Sequence, residues 1–328
     1  MSDVRTNSLR AWVLAARPKT LTGAVIPVLL AGALAFRVGA FRQTDMLDGA
    51  LPFSTPTVHL VLWACCLLFA CIMQIVANLI NDLFDYQRGS DRSDRLGPER
   101  ACAQGWISPR AMKAGIAVSV ILACVVGLTA VIISGKYMPF RGCEYIALGV
   151  ICISFAFLYT TRFSYLGWGD ALVVVFFGFV PVCGTYYMQT LSITPLSILL
   201  SLISGVAIDA LLVINNYRDR NEDRISGKRT IVVRFGERFG LYFYLAIGIV
   251  VTVLSAVVWV MLKTGSTARE QSSSVYLATW FVYPLLHFLT WRRMRRIHEG
   301  RALNAILGET SRNMFIMALV MSAVIMID

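Results

Sequence analysis

The chain has 328 residues, of which 57% are hydrophobic and only 15% charged. One water-soluble core of that length cannot bury so much apolar side chain, so lipid is the solvent implied for most of it and a soluble domain is excluded. The net charge of +11 does not read as a nucleic-acid surface, because its placement follows the loops between apolar stretches.

A membrane-spanning helix needs about 20 predominantly apolar residues. Taken in chain order, the predicted spans are 20–40, 58–80, 114–134, 143–159, 171–188, 195–214, 241–261, 275–289 and 314–327. The fold expected is an all-α polytopic membrane bundle of about nine transmembrane helices, with residues 1–328 forming a single integral membrane domain. Before the first span stand Arg5, Arg10, Arg17 and Lys19, in a stretch without a cleavable signal pattern, so the chain is expected to insert by its own first helix. Further basic clusters follow spans two, six and eight, and the intervening loops carry at most pairs. The positive-inside rule therefore puts the N-terminus and these long loops in the cytoplasm and the C-terminus outside. Cys65, Cys66, Cys71, Cys124, Cys152 and Cys183 fall inside spans without a CxxC or His-Cys pattern, which reads as small apolar packing.

Two polar loops, 81–113 and 215–240, stand apart. The first opens with Asn81-x-x-x-Asp85 and the second with Asn215-x-x-x-Asp219, followed by Asp223; both pairs are 134 residues apart, which predicts two pseudo-repeats meeting at one site. On a helix, Asn215, Asp219 and Asp223 share a face, as do Asn78, Asp82 and Asp85, with Asn81 on the adjacent edge. Carboxylates this close repel and lose hydration, a cost that a divalent cation relieves. Mg²⁺ fits oxygen ligands that it shares with phosphate groups, so a phosphorylated ligand is implied. Arg100, Arg218, Lys228 and Arg229 lie near the acids in sequence and supply what a diphosphate needs besides its metal. By contrast, Arg92, Arg110, Arg224 and Arg238 read as solvated loop charges, and His59, His287 and His298 as capping or interfacial residues. Asp170 opens span five, where a carboxylate complements the helix dipole. Asp209 is an acid inside span six without an evident partner.

These motifs resemble those of the UbiA-type intramembrane prenyltransferases, and most closely their 1,4-dihydroxy-2-naphthoate branch. The likeness is carried by Ala16-Arg17-Pro18-Lys19-Thr20, by Gln74 to Asp85 with Gly89 and Asp91, and by Arg95-Leu96-Gly97-Pro98 through Gly105 and Pro109. It continues in Asn215 to Gly236, with Gly227-Lys228-Arg229-Thr230 inside it. The resemblance implies a nine-helix bundle around a cavity capped by cytoplasmic loops, in the cell inner membrane. It implies Mg²⁺-diphosphate bound by Asn81, Asp85, Asp219 and Asp223, supported by Asn78, Asp82 and Asn215, with Arg17, Arg100, Lys228 and Arg229 on the diphosphate and Asp85, Asp219, Asp223 and Arg100 as the catalytic set. Tyr159 and Arg162 resemble a Tyr-plus-basic feature on the acceptor side, Arg162 being able to pair an acceptor carboxylate. The activity implied is transfer of a polyprenyl chain from polyprenyl diphosphate to 1,4-dihydroxy-2-naphthoate, with loss of CO₂ and diphosphate, in menaquinone biosynthesis. The alternatives are another aromatic acceptor such as 4-hydroxybenzoate or, from a different class, an ion-coupled transporter.

Overall fold

The computed structural model describes residues 4–41, 55–89, 95–264 and 273–327. Most of the stretches 41–57 and 264–274, read from the sequence as ordinary connectors, together with Asp91 and Arg92, lies outside the described residues. Among those described, all regular structure is helical. The first span joins α1 (Leu9–Ala16), a 3₁₀ turn at Pro18–Thr20 and α2 (Leu21–Arg37); α3 (Pro56–Gln87), α4 (Pro109–Ser134) and α5 (Cys143–Leu158) complete the first repeat. A π turn at Tyr159–Phe163 and the short α6 (Ser164–Leu166) lead to α7 (Gly169–Val174), a second π turn at Val175–Phe179, and α8 (Val180–Thr190). Then follow α9 (Pro195–Arg218), the loop helices α10 (Arg220–Ile225) and α11 (Ile231–Phe235), α12 (Glu237–Thr264), α13 (Ser273–Ile297) and α14 (Leu303–Ile327).

Three long helices start at proline, where the missing N–H costs nothing. Ser108 caps α4 by accepting from the Ala111 amide, and Thr194 with Ser197 forms a capping box ahead of α9. Eight helical segments among the described residues are long and apolar enough to cross a bilayer, which makes this a multi-pass membrane protein. The predicted eighth span lies within α13, of comparable length, so the expectation of about nine helices holds. Advanced by the same 134 residues, α4 falls on α12 and α5 on α13; correspondingly, α4 packs on α3 and α12 on α9.

In lipid, burial of apolar area gives little drive for helix association, and close backbone approach matters more. Here it is concentrated on α9. A Cβ on Gly205 would stand 2.7 Å from the Cα of Val174, and one on Gly178 only 2.3 Å from the carbonyl oxygen of Ser201. The hydroxyl of Ser204 donates to the Phe177 carbonyl at 2.8 Å. Through these contacts the second π turn is held against α9, with Phe176 and Phe177 directed into the bundle's cavity. The resulting burial is uneven: 67% of the apolar stretch of α9 is enclosed against 11% of that of α3, whose faces meet the cavity and the bundle's outside. His59 and His287 are core residues rather than interfacial ones; His287 stacks on Tyr244 and lies 2.8 Å from its carbonyl oxygen. All eight cysteines are free.

Candidate active site

Helices α3 and α9 both run one to two turns past their predicted ends, so Asn81 and Asp85 on one and Asn215 on the other remain helical, and Asp219 caps the second. Between them lies a cavity of about 910 Å³, polar where these helices end and apolar along the rest of its length. Its polar end is lined by Arg17, Asn78, Asn81, Asp85, Arg100, Asn215, Asp219, Asp223 and Lys228, residues separated by as many as 211 positions in the chain. Tyr159 lines the same cavity further in.

Each acid meets a base. Arg100 donates to Asp85 at 2.6 Å, and Arg218 holds Asp219 with two bonds of 2.6 Å in the forked geometry that guanidinium and carboxylate favour. The Lys228 ammonium stands 3.5 Å from Asp223. Burial pushes the Asp223 carboxyl up to about 6, helped by the charges of Asp219 and Glu222 and opposed by Lys228. Burial also pulls on Lys228, but the carboxylates of Asp223 and Asp85 outweigh it and leave its ammonium above the ordinary lysine range. Among the described residues no three His, Cys, Asp or Glu side chains by themselves form a metal cluster. The donor set instead suits an ion held by single carboxylates from two helices, with amide oxygens and a ligand's phosphates completing the shell, the usual manner of Mg²⁺.

The loop from Arg95 to Ile107 is folded over the polar end by two ties, Asp82 off the cavity and Asn304 on its wall. Asp82 is 1% exposed and accepts from the amides of Ala101 and Cys102 at 2.8 and 2.9 Å. That clamp places the adjacent Arg100 on Asp85. Asn304 ties the other end, donating to the Leu96 carbonyl and accepting from Arg218, both at 2.8 Å. A Cβ at Gly97 would stand 3.0 Å from the Arg218 guanidinium, which would have to give by a few tenths of an ångström to admit a larger residue. The Arg17 turn is likewise pinned: Asn78 donates to the Ala16 carbonyl and to the Thr20 hydroxyl at 2.9 and 2.8 Å, and Arg17 takes a left-handed φ of 52°.

Three expected site residues are placed elsewhere. Asp82 supports the loop as described. Arg162 is exposed and off the cavity, because the π turn carries Thr160 inward, where its hydroxyl donates to Asn81 at 2.5 Å, and leaves Arg162 outside. Arg229 is also exposed; its backbone amide donates to the Tyr165 carbonyl, and its side chain does not line the cavity. Tyr165 was not anticipated. Its ring lines the cavity with Arg88 and Lys228 on it at 4.9 and 5.5 Å, and no spacing in the sequence marks it.

The profile of the UbiA prenyltransferase family matches residues 46–319. The chain belongs to that family. It is 36% identical over 241 residues, 72% of each chain, to the 1,4-dihydroxy-2-naphthoate octaprenyltransferase of Escherichia coli. To the enzyme of the same name from Mycobacterium leprae it is 31% identical over 320 residues, 95% of each. A UbiA homolog of Archaeoglobus fulgidus, solved bound to GPP and Mg²⁺, shares its fold with a TM-score of 0.60 at 14% identity, covering 97% of this chain and all of that one. An apo homolog from Aeropyrum pernix does so at 0.61, covering 94% and 97%. Family membership answers the transporter alternative: this chain is a prenyltransferase.

Proposed function

We propose that this UbiA-family chain transfers a polyprenyl group from polyprenyl diphosphate to 1,4-dihydroxy-2-naphthoate, releasing diphosphate and CO₂. One observation carries the reading: two acid sets from the two repeats, each with its own base, converge at the polar end of a cavity whose remaining length is apolar. The chain's similarity to relatives named for that activity supports the choice of acceptor.

Asp85, Asp219 and Asp223, with the side-chain oxygens of Asn81 and Asn215, would hold Mg²⁺. When bound, the ion acts as a Lewis acid toward the diphosphate leaving group. Arg17, Arg100 and Lys228 hold diphosphate oxygens and stabilise the charge that grows there as the allylic C–O bond breaks, the kind of contribution that is usually the largest in such a site. Arg100 stands on Asp85 and Lys228 beside Asp223, so both bases would be within reach of a diphosphate held by those acids through the ion. Beneath them, Phe155 lies stacked on Phe176 with centroids 3.6 Å apart. Their π faces stabilise an allylic cation without trapping it. The apolar length of the cavity takes the isoprenoid tail out of water. The basic residues of these loops support a polar end on the cytoplasmic side of the cytoplasmic membrane.

The test is mass spectrometry of the lipid product made by purified protein from polyprenyl diphosphate, Mg²⁺ and either acceptor. The expected product is prenylated naphthoquinol lacking the carboxyl carbon. A preference for 4-hydroxybenzoate with its carboxylate retained would contradict the assignment.

A further inference from the structure

Deeper in the bundle than the Mg²⁺-binding set is a second pair of acids, which that reading does not use. Asp209 on α9 is 4% exposed, and Asp170 opens α7 on the cavity wall. Their carboxyl groups lie close enough to interact directly, and one oxygen of each, Oδ1, is buried without a hydrogen-bond partner. Two neighbouring acids with buried, unsatisfied oxygens inside a membrane helix bundle are costly, and such residues are kept for function far more often than for packing. Two carboxylates this close repel, an arrangement suited to sharing one proton.

The pair is also in the right place. A Cβ on Gly169, the residue before Asp170, would stand 3.4 Å from the Tyr159 hydroxyl. Tyr159 lines the cavity together with Asp170 and with Asp223 of the diphosphate end. The stacked rings of Phe155 and Phe176 line the same stretch of cavity. A flat aromatic acceptor seated against those rings, beside the allylic carbon, would have Asp170 at its edge.

We propose that Asp170 accepts the hydroxyl proton of the acceptor ring during prenyl transfer and returns it afterwards, with Asp209 as the positioning residue that shares the proton. This rests on the functional reading above. The allylic C–O bond breaks with its electrons on diphosphate. The ring carbon bearing the carboxylate forms the new C–C bond, while the neighbouring hydroxyl becomes a carbonyl and its proton passes to Asp170. The carboxylate is now β to a ketone, so CO₂ leaves, its bonding electrons restore the aromatic ring, and the oxygen takes the proton back. No co-reactant is consumed, and the acid pair ends as it began.

The experiment is the pH dependence of kcat, from about pH 6 to 9, for the full-length purified protein, with KM for prenyl diphosphate measured alongside. Asp170→Asn keeps the shape but cannot take a proton. It is expected to lower kcat about 100-fold at neutral pH with KM for prenyl diphosphate within about threefold of wild type. The deficit should shrink about tenfold per pH unit as the acceptor hydroxyl ionises in solution. Asp209→Asn should show the same pH trend with a smaller loss, and serves if the first variant misfolds. A kcat loss constant across pH, or no loss in either variant, overturns the proposal while wild-type turnover leaves the functional reading standing. Wild-type protein that binds prenyl diphosphate yet never prenylates the naphthoate overturns both.

Discussion

The ends of α3 and α9 carry the same Asn-x-x-x-Asp spacing and use it differently. On α3 the additional polar residues hold the protein together: Asn78 fixes the Arg17 turn and Asp82 clamps the loop that delivers Arg100. Only Asp85 of its two acids faces the cavity. On α9 and the loop beyond it, both Asp219 and Asp223 face the cavity, and Arg218 and Lys228 come from the same segment of chain. The first repeat therefore builds its half of the site with a clamped loop, and the second with consecutive residues. Shared spacing identifies a common helix face, but the fold of the following loop decides which acids are left for a ligand.

The sharpest break in that comparison is Asp85→Asn, Asp219→Asn or Asp223→Asn, each of which should lower diphosphate release by about 100-fold or more at saturating substrate, with thermal unfolding close to wild type. Asp82→Ala tests the contrast from the other side. It strands two buried backbone amides, which costs on the order of 1–3 kcal/mol of stability. The expected signature is a lowered unfolding temperature, faster proteolysis near Arg100, and an activity loss that added Mg²⁺ does not restore. If Asp82→Ala instead unfolds like wild type and recovers in excess Mg²⁺, the acid belongs to the ligand site.

A smaller effect comes from pH. The Asp223 carboxyl, raised to about 6, is neutral below that value, and a metal ligand must be ionised. The Mg²⁺ concentration for half-maximal binding should therefore rise as pH falls through about 6. Glu222→Gln removes one of the charges that raise Asp223, so this transition should move to lower pH in a magnesium titration; an unmoved transition would detach it from Asp223. Smallest of all, Arg162→Ala and Arg229→Ala should each change kcat by less than about threefold, as exposed side chains away from the cavity do.

Much of this was legible in the residues. Apolar runs located the spans, and the repeated spacing located both acid sets, because helical periodicity and the cost of charge in lipid act locally along the chain. The division of labour among the acids was not legible. Asp82 and Asp85 look equivalent on a helix, and only the return of Ala101 and Cys102 onto one of them separates their roles. Arg162 and Tyr165 fail the same way. The π turn at Tyr159–Phe163 shifts which residues face inward, and it depends on packing between segments far apart in sequence rather than on local composition. Asp209 could be flagged as an intramembrane acid, but its neighbour Asp170 became visible only once α7 was seen packed on α9.

The claim that both repeats hold one Mg²⁺-diphosphate is tested most directly by calorimetric titration of geranyl diphosphate into purified protein with and without Mg²⁺. Wild type should bind only with Mg²⁺, and Asp85→Asn and Asp219→Asn should each weaken that binding at least about tenfold, since either loss removes a ligand charge from the same ion. Wild-type affinity in either variant, or tight binding without Mg²⁺, would contradict a site shared between the two helix ends.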